Sequence, residues 1–369
     1  MENMETRILA TYDALHAMPE VGFAEFKTAA WLAEKIAAAG FSVTTGVGGT
    51  GIVAVLKGNE PGPVVALRAD MDALAHTVDG KDICVHSCGH DSHCAMVLTA
   101  AEEIAKTGIK RGTLKVFFQP AEEKLFGATS MIEAGVLEDV DIILGIHLRP
   151  GQEAKTGQAT PALYHGSSYI MEATITGRTA HGARPHLGVN AVDAAAAAVN
   201  AVNAIKMNPV VPWSCKVTKL QAGGATLNAI PDKAELALDI RAQQNDTMKD
   251  LLLRAENAIK AGASTVGATA ETSVKGGVPG AEYHPEMIAL AREAICAVLG
   301  EQGLLEPIVT PGGEDFHNFV KAKPSLKAGY IGLGCNLTPG LHDPGMTFDR
   351  SAMADGAKIL LYMARKLTD

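Results

Sequence analysis

Apolar positions along the chain fall into two rhythms. Short runs over residues 63–67, 113–119 and 141–148 read as strands buried on both faces. Between them, helical spacing appears over 26–39, 92–106 and 128–134, and each stretch is stopped by a glycine, Gly40, Gly108 or Gly135. Residues 41–45 and 51–57 read as two further short strands. Buried strands alternating with helices predict an α/β fold with a mostly parallel, doubly wound sheet covered on both faces.

The middle of the chain changes rhythm. Residues 169–176 alternate, with Tyr169, Met171, Ala173 and Ile175 on one face, and an Ala-rich helix follows over 189–206. Two strands, 213–220 and 235–243, come next, the second placing Leu236, Leu238 and Ile240 on one side. A helix over 247–261 capped by Asp246 and a strand near 269–274 complete the order β-α-β-β-α-β, the ferredoxin-like unit. After Gly276, Gly277, Pro279 and Gly280 the first rhythm resumes, with a helix over 285–299, a strand over 329–333 and a helix over 352–367. The expected organisation is one catalytic domain, residues 1–168 and 279–369, interrupted by an inserted domain, residues 169–278.

A chain of 369 residues with 47% hydrophobic and 20% charged residues is long enough to bury two cores and too apolar to be disordered. Its formal charge of -9, with no long basic block, argues against a nucleic-acid partner. The first twenty residues contain Glu2, Glu5, Arg7, Asp13 and Glu20 and no apolar core of a secretory leader, while Asp193, Asn200 and Asn203 interrupt the Ala-rich stretch short of a membrane span. A cytosolic protein with no membrane partner is expected. Six unevenly placed cysteines do not form a disulfide framework and are expected to be reduced.

Three of those cysteines, Cys84, Cys88 and Cys94, fall within eleven residues alongside His86, His90 and His93. Imidazole and thiolate donors together, at a sharp glycine turn before a helix, suit zinc or a similar transition metal. Glu122 and Glu123 follow Pro120, which takes them off the strand, so that one carboxylate can ligate while the other handles protons. Gly46 to Gly51 fits G-x-G-x-x-G, yet a strand rather than a helix follows, which favours a hairpin over a dinucleotide site. Taken singly, His147, His342, Asp70 and Asp72 have ordinary structural explanations. Their convergence is what matters: each lies just past a predicted strand end, as does the Glu122/Glu123 pair, and in an open α/β sheet ligands bind outside the carboxyl ends of the strands.

Seven segments in order, Arg68 to Leu74, Cys88 to Asp91, Gln119 to Glu123, Gly145 to His147, Thr179 to His186, Asn228 to Pro231 and Gly313 to Phe316, resemble the N-acyl-amino-acid amidohydrolases. That family, which includes hippurate hydrolase and auxin-conjugate hydrolases, lies within the aminoacylase and carboxypeptidase superfamily of dinuclear metalloenzymes. The resemblance spans essentially the whole chain. It implies that Cys88, His90, Glu123, His147 and His342 ligate two divalent ions, zinc or manganese, with cobalt and nickel also compatible. Glu122 would be the general base, and His181 on the inserted domain would stabilise the oxyanion. The inserted domain would serve as lid and homodimer interface. Asn228 and Arg241 would bind the carboxylate of an N-acyl or N-aroyl amino acid, and Asp70, Asp72 and Asp91 would orient ligand imidazoles.

Two departures from the family pattern stand out: residues 75–85 are a short connection before the Cys-Gly-His-Asp motif, and the loop after His342 is longer by about a residue. The alternatives to an amidase are a dipeptidase or carboxypeptidase using the same metals, a catalytically dead binder of acyl amino acids, and, least favoured, a nucleotide-dependent oxidoreductase. Glu122, which mere binding does not need, argues against the dead binder.

Overall fold

A computed structural model describes residues 3–369, so Met1 and Glu2, counted in the leader expectation, lie outside the described residues. The described residues divide into two compact units, one of residues 3–164, 282–309 and 315–369, the other of residues 165–281 and 310–314.

The first unit is built on a seven-stranded sheet in the order Ser42–Val47, Gly51–Lys57, Arg111–Gln119, Glu60–Asp70, Ile142–Pro150, Lys327–Leu337 and Ala159–Thr160. The three pairings between neighbours from Arg111–Gln119 to Lys327–Leu337 are parallel, and the outer ones antiparallel. Successive residues of these strands enter different cores: Val65, Leu67, Leu144 and Ile146 pack with the helices His90–Ala105, Pro285–Leu299 and Ala352–Thr368. Ala66, Phe117, Ile143 and Tyr330 pack on the opposite face with Met131 and Phe319. The unbroken apolar runs thus have the physical cause expected of them, burial on both sides. Gly46 to Gly51 forms the turn of the antiparallel hairpin between the first two strands and starts no helix.

The second unit has a four-stranded antiparallel sheet in the order Trp213–Ala222, Lys233–Ala242, Ser167–Thr176, Thr269–Val278. The helices Ala191–Asn203 and Asn245–Ser264 cover one face, burying Met171, Ala173, Ile175, Leu236, Leu238 and Ile240. Asp246 does not cap its helix. The chain turns helical two residues earlier, at Asn245, and Asp246 sits in the first turn, where its charge favours the positive helix end without a side-chain cap.

The short stretch before the Cys-Gly-His-Asp motif is an antiparallel hairpin, Leu74–Val78 with Lys81–Val85. Its turn is Asp79-Gly80, both at positive φ (51° and 74°), the conformation an Asp-Gly pair adopts in a two-residue hairpin loop. No helix among the described residues is long and apolar enough to cross a membrane.

Candidate metal centre

Five segments of the first unit supply the donors. The strand Glu60–Asp70 ends at Asp70, with Asp72 just beyond, and Ile142–Pro150 carries His147 near its end. The strand Arg111–Gln119 runs into Pro120, Ala121 and a single 3-10 turn, Glu122–Lys124. The helix His90–Ala105 starts on its ligand candidate because Gly89 precedes it at φ 85°, where a Cβ would lie 2.9 Å from Leu148 Cδ1. His342 comes from the loop after Lys327–Leu337, and its N–H donates to Ser87 O at 2.7 Å.

Among the candidate donor groups that these segments bring together, two share one atom. Cys88, His90 and His147 offer ligand atoms within 4.8 Å of one another, and so do Cys88, Glu123 and His342. His147 donates from Nδ1 to Leu148 O at 2.7 Å, which leaves its Nε2 lone pair 3.6 Å from Cys88 Sγ. His90 is turned by Asp72, whose Oδ1 lies 3.1 Å from Nδ1, and the other oxygen of Asp72 accepts the Glu123 N–H. One carboxylate thereby sets both a ligand imidazole and the turn carrying a ligand carboxylate. Of the remaining atoms, His90 Nε2 is buried without a hydrogen-bond partner and lies 3.8 Å from the buried Glu123 Oε1. His342 Nε2 lies 3.2 Å from Glu123 Oε1. Buried lone pairs facing each other across such a gap are what a cation satisfies, so the residues present fit divalent metal.

The electrostatics agree. Burial, and then Glu123 nearby, push the Cys88 thiol well above its ordinary range, so a cation must take the place of its proton. Burial, and then His93, hold His147 well below the usual histidine range, in the neutral form a metal requires. Burial opposes charge on His90, but Asp70 and Cys88 outweigh it and raise the imidazole well above its usual value, a measure of how strongly this spot draws positive charge.

Of the three histidines clustered in sequence, only His90 joins a group containing Cys88. His93 lies 2.7 Å through Nδ1 from Asp70 and accepts the Leu148 N–H at Nε2, so both nitrogens are spent. His86 is buried and belongs to no candidate group among the described residues. Asp91 accepts the Ser92 N–H and lies 2.6 Å from His16 Nδ1 at the end of the helix Met4–His16.

Glu122 is buried beside the donors, with Oε2 4.0 Å from His90 Nε2 and Oε1 accepting the Asp315 N–H at 3.3 Å. Asp315 in turn accepts from Arg68, Gln119 and the Ala128 N–H, and Arg68 also donates to Asp70. Arg68 and Asp315 lie in segments already singled out, but an ion pair spanning 247 residues leaves no local signal.

The other candidates belong to the second unit. His181 pairs with Ala229 in a two-stranded ribbon, and Gly182 N–H donates to Asn228 O at 2.7 Å, so His181 and Asn228 are neighbours. Arg241 is half exposed and donates to Asp239 on its own strand.

Residues 66–366 match the model of peptidase family M20/M25/M40. The indole-3-acetyl-aspartic acid hydrolase of Enterobacter agglomerans is 30% identical, covering 95% of this chain and 93% of its own length. One of the chains of the p-aminobenzoyl-glutamate hydrolase of Escherichia coli K12 is 32% identical, covering 85% and 76%. A Bacillus subtilis crystal structure, described as a dinuclear metal binding peptidase from family M20, superposes with a TM-score of 0.83 at 27% identity, covering 99% of this chain and 98% of its own. Because the family match spans every donor from Asp70 to His342, the chain belongs to peptidase family M20/M25/M40 and is a metal-dependent hydrolase of linear amides.

Proposed function

We propose that the protein cleaves the amide bond of N-acyl or N-aroyl amino acids, giving a carboxylic acid and an amino acid. Its centre would hold two divalent ions through Cys88, His90, Glu123, His147 and His342. The observation that carries this reading is the sharing of Cys88 by two donor groups, with a further carboxylate, Glu122, beside them. The named activities of the relatives, on indoleacetyl-aspartate and p-aminobenzoyl-glutamate, supply the substrate class. Zinc or manganese suits the donors best, and cobalt or nickel is compatible with them.

Ions bound there supply Lewis acidity at the scissile carbonyl and lower the pKa of a water. Glu122 takes the proton of the attacking water and returns it to the leaving nitrogen. The Asp315 N–H steadies the carboxylate for both transfers. His181 accepts the Ala183 N–H at Nδ1, 3.0 Å away, which places its own proton on Nε2, the form that donates to a developing oxyanion. Asn228 and Arg241 are assigned to the carboxylate of the amino-acid half. Asp72 supports the donors from behind through His90 and the Glu123 N–H, whereas Asp70 reaches His93 and Arg68, and Asp91 reaches His16 instead of a ligand imidazole. The inserted unit, with its β-α-β-β-α-β order, takes the part of a ferredoxin-like lid and dimer interface.

The metal-loaded protein is expected to turn over N-acetyl, hippuryl or indoleacetyl amino acids faster than simple dipeptides. Preference for a free α-amino group on the acyl side would make it a dipeptidase, and no turnover of any amide with any divalent metal would refute the proposal.

In the proposed dimer His181 serves the neighbouring protomer's site. Mixing inactive Glu122→Gln and His181→Ala proteins and letting protomers exchange then gives about half mixed dimers, each with one intact site, and recovers roughly a quarter of wild-type activity. Exchange shown to occur without recovery places His181 in its own chain's site or outside catalysis.

A further inference from the structure

Glu25, just before the helix Phe26–Ala38, is a fully buried carboxylate outside the donor groups, and it precedes the family-matched span. Its Oε1 accepts the Ala121 N–H at 2.8 Å, and its Oε2 accepts from the Thr50 hydroxyl. Neutral donors alone, from Thr50, Ala121 and the residue's own N–H, are a poor return for burying a carboxylate, so stability alone gives little reason for a charge at this place.

Ala121 supplies a reason. It sits at φ 51°, ψ 40°, a left-handed conformation that strains a residue with a Cβ, and Leu125 at the other end of the Glu122–Lys124 turn is left-handed too, at φ 59°. A single 3-10 turn bounded by two such residues is poorly held by its own backbone. From one direction Ala121 is met by Gly22, where a Cβ would lie 2.8 Å from Ala121 Cα and 3.2 Å from Asp72 Oδ2. Glu25 holds the Ala121 N–H with a charge-assisted bond. The segment carrying both residues is itself tied down next to Asp72, since Glu20 O accepts the Ala73 N–H at 2.8 Å and Val21 bridges Ala73.

We propose that Glu25 is a positioning residue for the Glu122–Glu123 turn: through the Ala121 N–H it holds the general base and the ligand carboxylate in their relative places. This rests on the roles proposed above for Glu122 and Glu123. Neither proton transfer nor ligation passes through Glu25 itself.

The test compares wild type, Glu25→Ala and Glu25→Gln in the full chain. In metal-free protein, amide exchange in the peptide covering 117–127 is expected to quicken roughly ten- to a hundred-fold in Glu25→Ala, the worth of a hydrogen bond to a charged group, with other segments unchanged. Glu25→Gln keeps an oxygen for Ala121 and an amide for Thr50, and is expected to stay within about threefold of wild type. With saturating metal, Glu25→Ala is expected to lose roughly ten- to a hundred-fold in kcat with KM within about twofold, and Glu25→Gln to restore most of it. Should Glu25→Ala fail to fold, Thr50→Val loosens the same carboxylate without touching the turn, and a smaller acceleration confined to 117–127 is expected. Unchanged exchange at 117–127, acceleration spread over the whole chain, or Glu25→Gln as impaired as Glu25→Ala would overturn the proposal. The exchange measurement needs neither metal nor substrate, so a failure of the proposed amidase activity leaves it readable and distinguishable.

Discussion

Glu122→Gln is expected to keep its bound metal and lose roughly two to four orders of magnitude in turnover, the usual worth of a general acid/base. The amide keeps an oxygen where Glu122 accepts the Asp315 N–H, so the side chain stays in place and only its basicity is lost. Glu123→Gln is expected to do the opposite and weaken metal, because Glu123 groups with Cys88 and His342 while Glu122 groups only with His90 and Glu123 among these ligand candidates. Metal analysis beside steady-state kinetics separates the two. If Glu122→Gln strips the metal and Glu123→Gln spares it, the roles are exchanged.

Cys88→Ala is expected to empty both metal positions and abolish activity. Cys88 is the donor common to the two groups, whereas His147 and His342 each belong to only one of them. His147→Ala and His342→Ala should therefore retain one ion more firmly than the other, and elemental analysis of dialysed protein shows the contrast. Equal metal loss in all three variants would contradict the sharing of Cys88. The thiol also gives binding a pH dependence of definite sign. Its pKa is raised by burial and by Glu123, so binding releases a proton and weakens as pH falls. Calorimetric titration in buffers of different ionisation enthalpy is expected to show that proton in wild type and to lose it in Cys88→Asp, whose carboxylate is already ionised near neutral pH.

Asp79-Gly80 is a hairpin signal only between strands, and residues 75–85, which read from the sequence as no more than a short connection, carry too little apolar character to announce those strands by themselves. The helix Met4–His16 carries its own pattern in Ile8, Thr11, Tyr12 and Leu15, all buried. That 3–4 spacing marks the helix, and the charges Glu5, Arg7 and Asp13 interleaved with it carry no such signal. The cap of the helix Asn245–Ser264 was not legible, because Asp246 suits a cap and a first turn almost equally and the boundary depends on how the chain bends through Gln243 and Gln244 after the strand Lys233–Ala242.

Local pattern by itself determined the layering and the address of the chemistry. An apolar run with no alternation is stable only with both faces covered, and runs such as 141–148 therefore dictated the doubly covered sheet and put Asp70, Glu122 and His147 near strand ends. Only the tertiary structure decided which of those groups are free to bind. His90 and His93 are three residues apart on one helix, yet one faces Asp72, 18 residues away, and keeps Nε2 open. The other is closed by Asp70, 23 residues away, and by Leu148, 55 residues away. The same holds for the Asp315 N–H on Glu122 and for Glu25 beneath Ala121. The periodicity of burial is a property of neighbouring residues, whereas the occupancy of a lone pair is settled by whatever atom the fold brings within about 3 Å, from any distance along the chain.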